Sequence, residues 1–193
     1  MQQKIINTIK ESVRVKNALI EIPEIINSIE SIVNKVVYCY SNGGKVLFCG
    51  NGGSAADAQH LAAELSGRFY YDRDPLHAEA LHVNTSYLTA VANDYSYDEV
   101  YARLVKAMGR KGDILVGLST SGNSGNILRA MNQAKDSGMI TIGLTGKTGG
   151  KMRDLCDLIV KVPSEDTPRI QECHILIGHI ICELVEAQLF PKQ

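Results

Sequence analysis

The sequence lacks the features that are typical of nucleic-acid-binding, secreted and membrane proteins. Its 20 Lys and Arg nearly cancel its 21 Asp and Glu, for a net charge of -1, unlike the basic surfaces of nucleic-acid-binding proteins. Its first residues contain no continuous apolar segment, so we expect no secretory signal. Its most apolar stretch, residues 175–182, contains His179 and is far shorter than the roughly 20 residues of a membrane span. We therefore expect no nucleic-acid or membrane partner.

The cysteines lack the spacing of a metal or redox motif. Their number is odd, and no C-x-x-C pair occurs among Cys39, Cys49, Cys156, Cys173 and Cys182. This usage is typical of reduced, mostly buried thiols in a cytosolic protein. We therefore expect a cytoplasmic location, and a catalytic cysteine is the less favoured interpretation.

Neither an internal repeat nor a low-complexity linker interrupts the 193 residues. That length fits one domain with a full core better than two domains. Apolar residues recur at helical spacing over residues 3–40, with a break at 21–24 around Pro23, which predicts two long N-terminal helices. We expect a single domain, with residues 1–42 used for oligomerisation and residues 43–193 forming an α/β core.

Short apolar runs alternate with helical patterns in the rest of the chain. Four runs, with a weaker fifth at 78–83, predict buried strands; they cover residues 45–49, 113–119, 139–145 and 158–162. Helical patterns cover 54–66, 85–107, 124–137 and 167–189. This alternation predicts a three-layer α/β/α sandwich with a central parallel sheet. Ligands of such sheets bind beyond the carboxyl ends of the strands.

The loop after the first strand is rich in glycine. It reads Gly50-Asn51-Gly52-Gly53-Ser54. Glycines let a backbone approach a ligand closely or adopt positive φ, and Ser54 is a good helix N-cap. A tight strand-to-helix turn would explain the same residues. Dinucleotide binding is a further alternative, because Ala at position 55 is sometimes accepted in place of the third glycine of that fingerprint.

The loop after the strand at 113–119 is rich in hydroxyls. Ser119, Thr120, Ser121 and Ser124 fall within six residues at the start of a helix. Free amides and the helix dipole favour an anion there, and the hydroxyls add donors. No lysine follows in the G-K-[ST] arrangement of a nucleotide P-loop. The loop therefore predicts a site for a monoester phosphate, against the alternative of a polar loop with redundant caps.

Histidine and glutamate residues supply candidates for metal binding and acid–base chemistry. His60 and Glu64 are four residues apart and so share one helix face, where they could hold a divalent metal. Such pairs are also common at protein surfaces. His179 lies in a nearly wholly apolar helical stretch, where it is either a core residue or a functional group. His174 is a competing candidate that spacing alone does not dismiss.

Together these segments resemble the sugar isomerase (SIS) fold and, within it, the phosphoheptose isomerase family. The similarity covers nearly the whole chain in five ordered motifs: CGNGGSAADAQHLAAEL at 49–65, ANDYSYDEVY at 92–101, GDILVGLSTSGNSGNI at 112–127, GLTGKTGG at 143–150 and RIQECHILIGHIICELVE at 169–186. The resemblance implies interconversion of sedoheptulose 7-phosphate and D-glycero-D-manno-heptose 7-phosphate, the first step of bacterial heptose biosynthesis. It also implies one zinc ion per subunit and a homotetramer.

The resemblance implies roles residue by residue. Glu64 and His179 match the acid–base pair of the family, so His179 is preferred to His174. The zinc ligands it implies are His60, Glu64, Gln171 and His179. It implies a phosphate cradle and sugar contacts that comprise Asn51, Gly52, Gly53, Ser54, Glu64, Asn93, Asp94, Ser119, Thr120, Ser121, Ser124 and Gln171, with Arg68 also beside the pocket.

Gln171 and His179 are eight residues apart, about 12 Å along a helix axis. One helix would strain to present both side chains to one metal. We therefore expect a neighbouring subunit to supply one of these groups.

A binding protein is the alternative to an enzyme. The replication-initiator-associating proteins share this fold, and the segments NDYSYDEVYARLV and LFPKQ resemble them. That group lacks the acid–base pair at the positions matching Glu64 and His179. Because this chain retains both, together with His60 and Gln171, the isomerase is the favoured prediction.

Overall fold

The computed structural model describes residues 1–192. Within that range, two long helices precede five strands that alternate with helices, and a 23-residue helix closes the fold. The elements are α1 (Gln2–Glu21), α2 (Pro23–Ser41), β1 (Val46–Gly50), α3 (Gly53–Ser66), β2 (Ala78–Ala80), α4 (Thr85–Asp94), α5 (Val100–Met108), β3 (Ile114–Ser119), α6 (Gly125–Asp136), β4 (Ile140–Thr145), β5 (Leu158–Lys161) and α7 (Thr167–Leu189). Short 3-10 turns occupy Tyr97–Glu99 and Gly150–Asp154.

The sheet confirms the predicted fold class. Its strands lie in the order β2-β1-β3-β4-β5, and every pairing is parallel. β1 and β3 are buried along their whole length, which explains their continuous apolar sequences. The edge strand β2 has only three residues, fewer than the weak run that predicted it. Because all the strands run the same way, their carboxyl ends meet at one edge.

Alternating side chains on the strands build two apolar layers. Val46 and Phe48 of β1 pack with α2, α3, α7 and the second half of α1. Leu47 and Cys49 point to the opposite face and pack with α4, α5 and α6. The fold is therefore an α/β/α sandwich in which α3 and α7 lie on the same face of the sheet.

The prediction of one helical segment over 85–107 is wrong. The chain forms two helices here, separated by an extended residue, Ser96, with φ of -170°, and by the 3-10 turn that follows it. Asn, Asp and Ser are weaker helix formers than Ala or Leu, so Asn93, Asp94 and Ser96 favour a break at this point. The second helix places Tyr101 so that its hydroxyl donates to the Gly50 carbonyl at 2.5 Å.

Polar contacts hold α1 against the start of α7. Arg169 donates to the Thr8 carbonyl at 3.2 Å, and Ser12 donates to Glu172 at 2.7 Å. The predicted oligomerisation role of residues 1–42 stays a prediction, as does the division of the chain into domains. Of the helices in residues 1–192, none is both long enough and apolar enough to cross a membrane.

Candidate active site

Two loops meet at the carboxyl edge of the sheet, after the neighbouring strands β1 and β3. Asn51 donates to Asn126 at 2.9 Å, and Asn126 donates back to Asn51 at 2.8 Å. Tyr97 also donates to Asn51, at 3.3 Å. These bonds attach the glycine-rich loop to the first turn of α6. Sequence reasoning missed Asn126, although a polar residue on the buried face of a helix was a usable signal.

The glycine-rich loop turns on Gly52, which has φ of 57° and is the N-cap of α3. The prediction that Ser54 caps this helix is therefore wrong, because Ser54 lies buried within its first turn. Gly53 is the first helical residue. A Cβ atom there would lie 2.7 Å from Gln171 Nε2 and 2.8 Å from its Oε1, so glycine allows the amide of α7 to lie against this turn.

The hydroxyl-rich loop is held in shape by a serine pair and a glycine. The Ser119 and Ser124 hydroxyls are 3.0 Å apart, and Ser124 is the N-cap of α6. Gly122 has φ of 65°, and a Cβ atom there would lie 2.2 Å from the Gly149 carbonyl oxygen. Only glycine permits this conformation and this close packing against the loop after β4.

The cavity beside this loop has donors for a compact anion. Thr120 and Ser121 line an open cavity of about 280 Å³ whose wall includes Lys147 and also the acidic Glu165. Asp98 already lies at the start of α6, since a Cβ atom on Gly125 would be 2.6 Å from one of its carboxylate oxygens. The helix dipole favours that placement. The phosphate cradle stays a prediction that these donors support.

Three further predicted site residues lie at helix ends. Asn93 donates to Asp94 at 2.9 Å near the end of α4, and both side chains are exposed. Arg68 is exposed just beyond α3. Their contacts with the sugar stay predictions.

Three of the four predicted metal ligands come together between α3 and α7. His60 Nε2 and Glu64 Oε1 are 2.9 Å apart, and the His60 and His179 rings pack edge to face with centroids 4.9 Å apart. One donor atom of each residue lies within 4.8 Å of the other two. Phe69, missed from the sequence, packs beside His179 with 5.7 Å between ring centroids. Two imidazoles and a carboxylate form a candidate metal site.

The polar environment of the two α7 histidines separates their roles. His174 is fully buried, and its Nε2 donates to the Thr145 carbonyl at 3.2 Å. Burial lowers its pKa to about 4, with an opposing, smaller effect of that hydrogen bond. His179 instead lies in the cluster, and within residues 1–192 its buried Nε2 has no hydrogen-bond partner. A metal ion could coordinate this nitrogen, and of the two histidines only His179 lies beside His60 and Glu64, so the geometry favours His179 as the candidate functional histidine.

Gln171 lies apart from this cluster in the same chain. α3 and α7 run parallel, since Gly53 faces Gln171 and His60 faces His179 further along both helices. Gly53 and His60 are seven residues apart, about 10 Å of helix axis. Gln171 as a metal ligand therefore stays a prediction, and a second chain would have to supply it.

Comparisons with known proteins decide the family. A family model for the SIS domain matches residues 13–146. The phosphoheptose isomerase of Aneurinibacillus thermoaerophilus is 52% identical over 193 residues, which covers 100% of this chain and 98% of that protein. The chain belongs to the phosphoheptose isomerase family. The phosphoheptose isomerase of Burkholderia pseudomallei is 50% identical over 189 residues, covering 98% of this chain and 96% of that one.

Solved structures of phosphoheptose isomerases agree. The structure from Neisseria gonorrhoeae has a TM-score of 0.91 and 42% identity, covering 96% of this chain and 98% of its own. The structure from Francisella tularensis has a TM-score of 0.91 and 38% identity, and the match covers 95% of this chain and 97% of that one. These relatives confirm the predicted family, fold and isomerase activity class, and the binding-protein alternative is not favoured.

Proposed function

We propose that this chain converts sedoheptulose 7-phosphate to D-glycero-D-manno-heptose 7-phosphate, the first step of bacterial heptose biosynthesis. Relatives named phosphoheptose isomerase match it over 76–100% of its length, which supports this phosphosugar as the substrate. The observation that carries the chemistry is the cluster of His60, Glu64 and His179. It supplies acid–base groups and metal ligands at one place.

The isomerisation moves a proton between carbon 1 and carbon 2 through an enediol. It requires a base near both carbons and stabilisation of the charge that develops on their oxygens. Glu64 and His179, with donor atoms no more than 4.8 Å apart, are the proposed acid–base pair. The hydroxyl-rich loop would hold the far phosphate, so that positional entropy is lost on binding rather than at the transition state.

The proposed cofactor is one zinc ion per subunit. The donor set fits zinc, since His60 and His179 offer imidazole nitrogens and Glu64 a carboxylate oxygen. Bound zinc would act as a Lewis acid on the carbonyl and hydroxyl oxygens of the substrate. Gln171 of a neighbouring subunit is the proposed fourth ligand, because within its own chain Gln171 lies against Gly53 instead.

The proposed assembly is a homotetramer in the cytoplasm. One support is that Gln171 lies too far from His60, Glu64 and His179 of its own chain to complete their metal site. The other is that α1 exposes three apolar side chains, those of Ile5, Ile9 and Val13. The five cysteines are free, as expected of a protein from a reducing compartment.

A turnover assay tests the proposal directly. Purified protein with added zinc is given sedoheptulose 7-phosphate, and NMR detects an aldose heptose 7-phosphate. The wild-type protein is expected to form it, whereas Glu64→Gln and His179→Gln should each slow turnover by about 100-fold or more, because each removes a proton-transfer group. His77→Gln, at an exposed position outside the cluster, is the matched control and should retain activity.

Two results would count against this function. A folded, zinc-loaded wild-type protein that forms no aldose would rule out the reaction and return attention to a binding role. Full activity of Glu64→Gln or of His179→Gln would show that the replaced residue is not an acid–base group of the reaction. Zinc binding measured on the same samples separates loss of metal from loss of proton transfer.

A further inference from the structure

An ion pair with buried side chains lies beside the candidate metal site. Arg73 Nε and Glu186 Oε1 are 3.1 Å apart, with side chains only 2% and 1% exposed. Arg73 belongs to the segment between α3 and β2, and Glu186 lies in the last two turns of α7. Removing both charges from water is costly, and apolar replacements of such pairs are often as stable. A contribution to folding stability is therefore a weak explanation for the presence of this ion pair.

Arg73 binds the carboxyl end of α3, the helix that carries two of the candidate ligands. Its Nη2 donates to the Glu64 carbonyl at 2.9 Å. The two hydrogens of its Nη1 are shared among the carbonyls of Leu65, Gly67 and Asp74, at 2.8, 3.0 and 2.9 Å. The last carbonyls of a helix have no partners within it, and a cation there is favoured by the dipole. The guanidinium therefore fixes the backbone of the residue whose carboxylate faces the metal site.

Glu186 fixes the other side of the same site. It accepts hydrogen bonds from the Phe69 and Tyr70 amides at 2.9 and 2.8 Å. The Phe69 ring packs against the His179 ring. Glu186 is seven residues after His179, so both lie on one face of α7. Burial raises the pKa of Glu186, but the two amides and Arg73 together lower it below its usual value.

We propose that Arg73 and Glu186 are positioning residues that hold Glu64 and His179 at the separation a metal ion requires. The inference rests on the proposed function, because it takes the cluster to be the zinc site. Arg73 acts through the main chain of Glu64, and Glu186 acts through Phe69. Groups that orient metal ligands in this way typically change metal affinity by about 10- to 100-fold when they are replaced.

Zinc affinity of metal-free protein, measured by chelator competition, tests the proposal. Glu186→Gln keeps the shape of the side chain and removes its charge, and we expect about 10- to 100-fold weaker binding. Arg73→Lys keeps the charge, but a lysine ammonium cannot reach both the Glu186 carboxylate and the carbonyls of α3 as the planar guanidinium does. We therefore expect this variant also to bind zinc more weakly. Cobalt(II) bound in place of zinc should show an altered visible spectrum in both variants, since their ligand geometry is loosened.

The pair of Lys45 and Asp113 gives a matched control. It is also buried, with Nζ and Oδ2 at 2.5 Å and side chains 15% and 5% exposed, but it lies at the amino ends of β1 and β3. Asp113→Asn should lower stability and leave zinc affinity within about twofold, as for distant sites. Unchanged zinc affinity and cobalt spectra in folded Glu186→Gln and Arg73→Lys would overturn the proposal.

The zinc comparison decides the positioning role whether or not turnover is observed, so the two proposals can fail separately. If the wild-type protein does not bind zinc, the proposed metal site is wrong and the positioning role falls with it. If Glu186→Gln does not fold, Arg73→Lys alone decides, because it preserves the buried charge pair.

Discussion

At the scale of single residues, environment rather than residue type distinguishes the candidate functional histidine from the structural one. His174 and His179 lie on the same helix, five residues apart. His174 has a carbonyl partner and apolar surroundings, so it is held neutral. His179 meets His60 and Glu64 instead. Both histidines lie on one predicted helix and are followed by apolar residues, so spacing alone left the choice between them open.

His174 makes the stability of the protein depend on pH. Its pKa falls from 6.5 to about 4 on folding, so the unfolded chain binds a proton that the folded chain does not. The stability it contributes is present above pH 6.5 and is lost as the pH falls towards 4, by about 2 kcal/mol between pH 7 and pH 5. In urea unfolding of metal-free protein, His174→Gln should remove that part of the pH dependence.

Gln is chosen because it stays uncharged and can still donate to the Thr145 carbonyl. The exposed His77→Gln serves as the control variant. An identical decline of stability from pH 7 to pH 5 in the wild-type and His174→Gln proteins would show that His174 is not the group responsible.

At the scale of elements, the sequence predicts what depends on local pattern. The bounds of α7 agree with the predicted 167–189, and β3 (Ile114–Ser119) lies within the predicted 113–119, because apolar periodicity reflects burial. The order of the strands depends on which helices cross over the sheet, and no local pattern encodes it. The edge strand β2 is a weak signal for the same reason, because its pairing with β1 decides it.

Some contacts of the candidate site also follow from local spacing in the sequence, whereas others depend on how distant elements pack. Helical spacing predicts that His60 and Glu64 meet and that Gln171 and His179 do not, and both hold. Arg73 and Glu186 are 113 residues apart in the chain, so only the packing of α3 against α7 brings them together. Glu186 did carry one signal: it is an acidic residue on the apolar face of a helix.

The close approach of α3 and α7 depends on Gly178. A Cβ atom there would lie 2.4 Å from a methyl group of the buried Leu61. Gly178→Ala gains about 1 kcal/mol in helix propensity, but overpacking of this kind costs about 1–3 kcal/mol. We expect net destabilisation in urea unfolding and weaker zinc binding, because α7 must move away from α3 and take His179 with it.

Leu61→Ala supplies the test of that mechanism. It removes the methyl groups that the new Cβ would meet, so the double variant should recover zinc affinity relative to Gly178→Ala alone. Strictly additive effects of the two substitutions would show that they do not interact, and would contradict the proposed steric coupling.

At the scale of the whole molecule, the chain presents surfaces that a single copy leaves uncovered. On α1, Ile5, Ile9 and Val13 form a stripe at i, i+4 spacing and are 52%, 58% and 50% exposed. Apolar side chains gathered on one exposed face mark an interaction surface. Gln171 is two helical turns from the cluster it is predicted to complete. Both observations are explained if copies of the chain associate and share their sites.

Disruption of that stripe tests the assembly and its link to activity. Light scattering of the wild-type protein is expected to give about four times the 21.1 kDa chain mass, and the double variant Ile5→Glu/Ile9→Glu should give a smaller species, because burial of two carboxylates is strongly unfavourable. Lys10→Glu makes the same change in net charge at an exposed position on the same helix and should leave the mass unchanged. The smaller species should lose turnover but keep weakened zinc binding, since His60, Glu64 and His179 come from one chain. A wild-type monomer with full activity would show instead that one chain completes the site by itself.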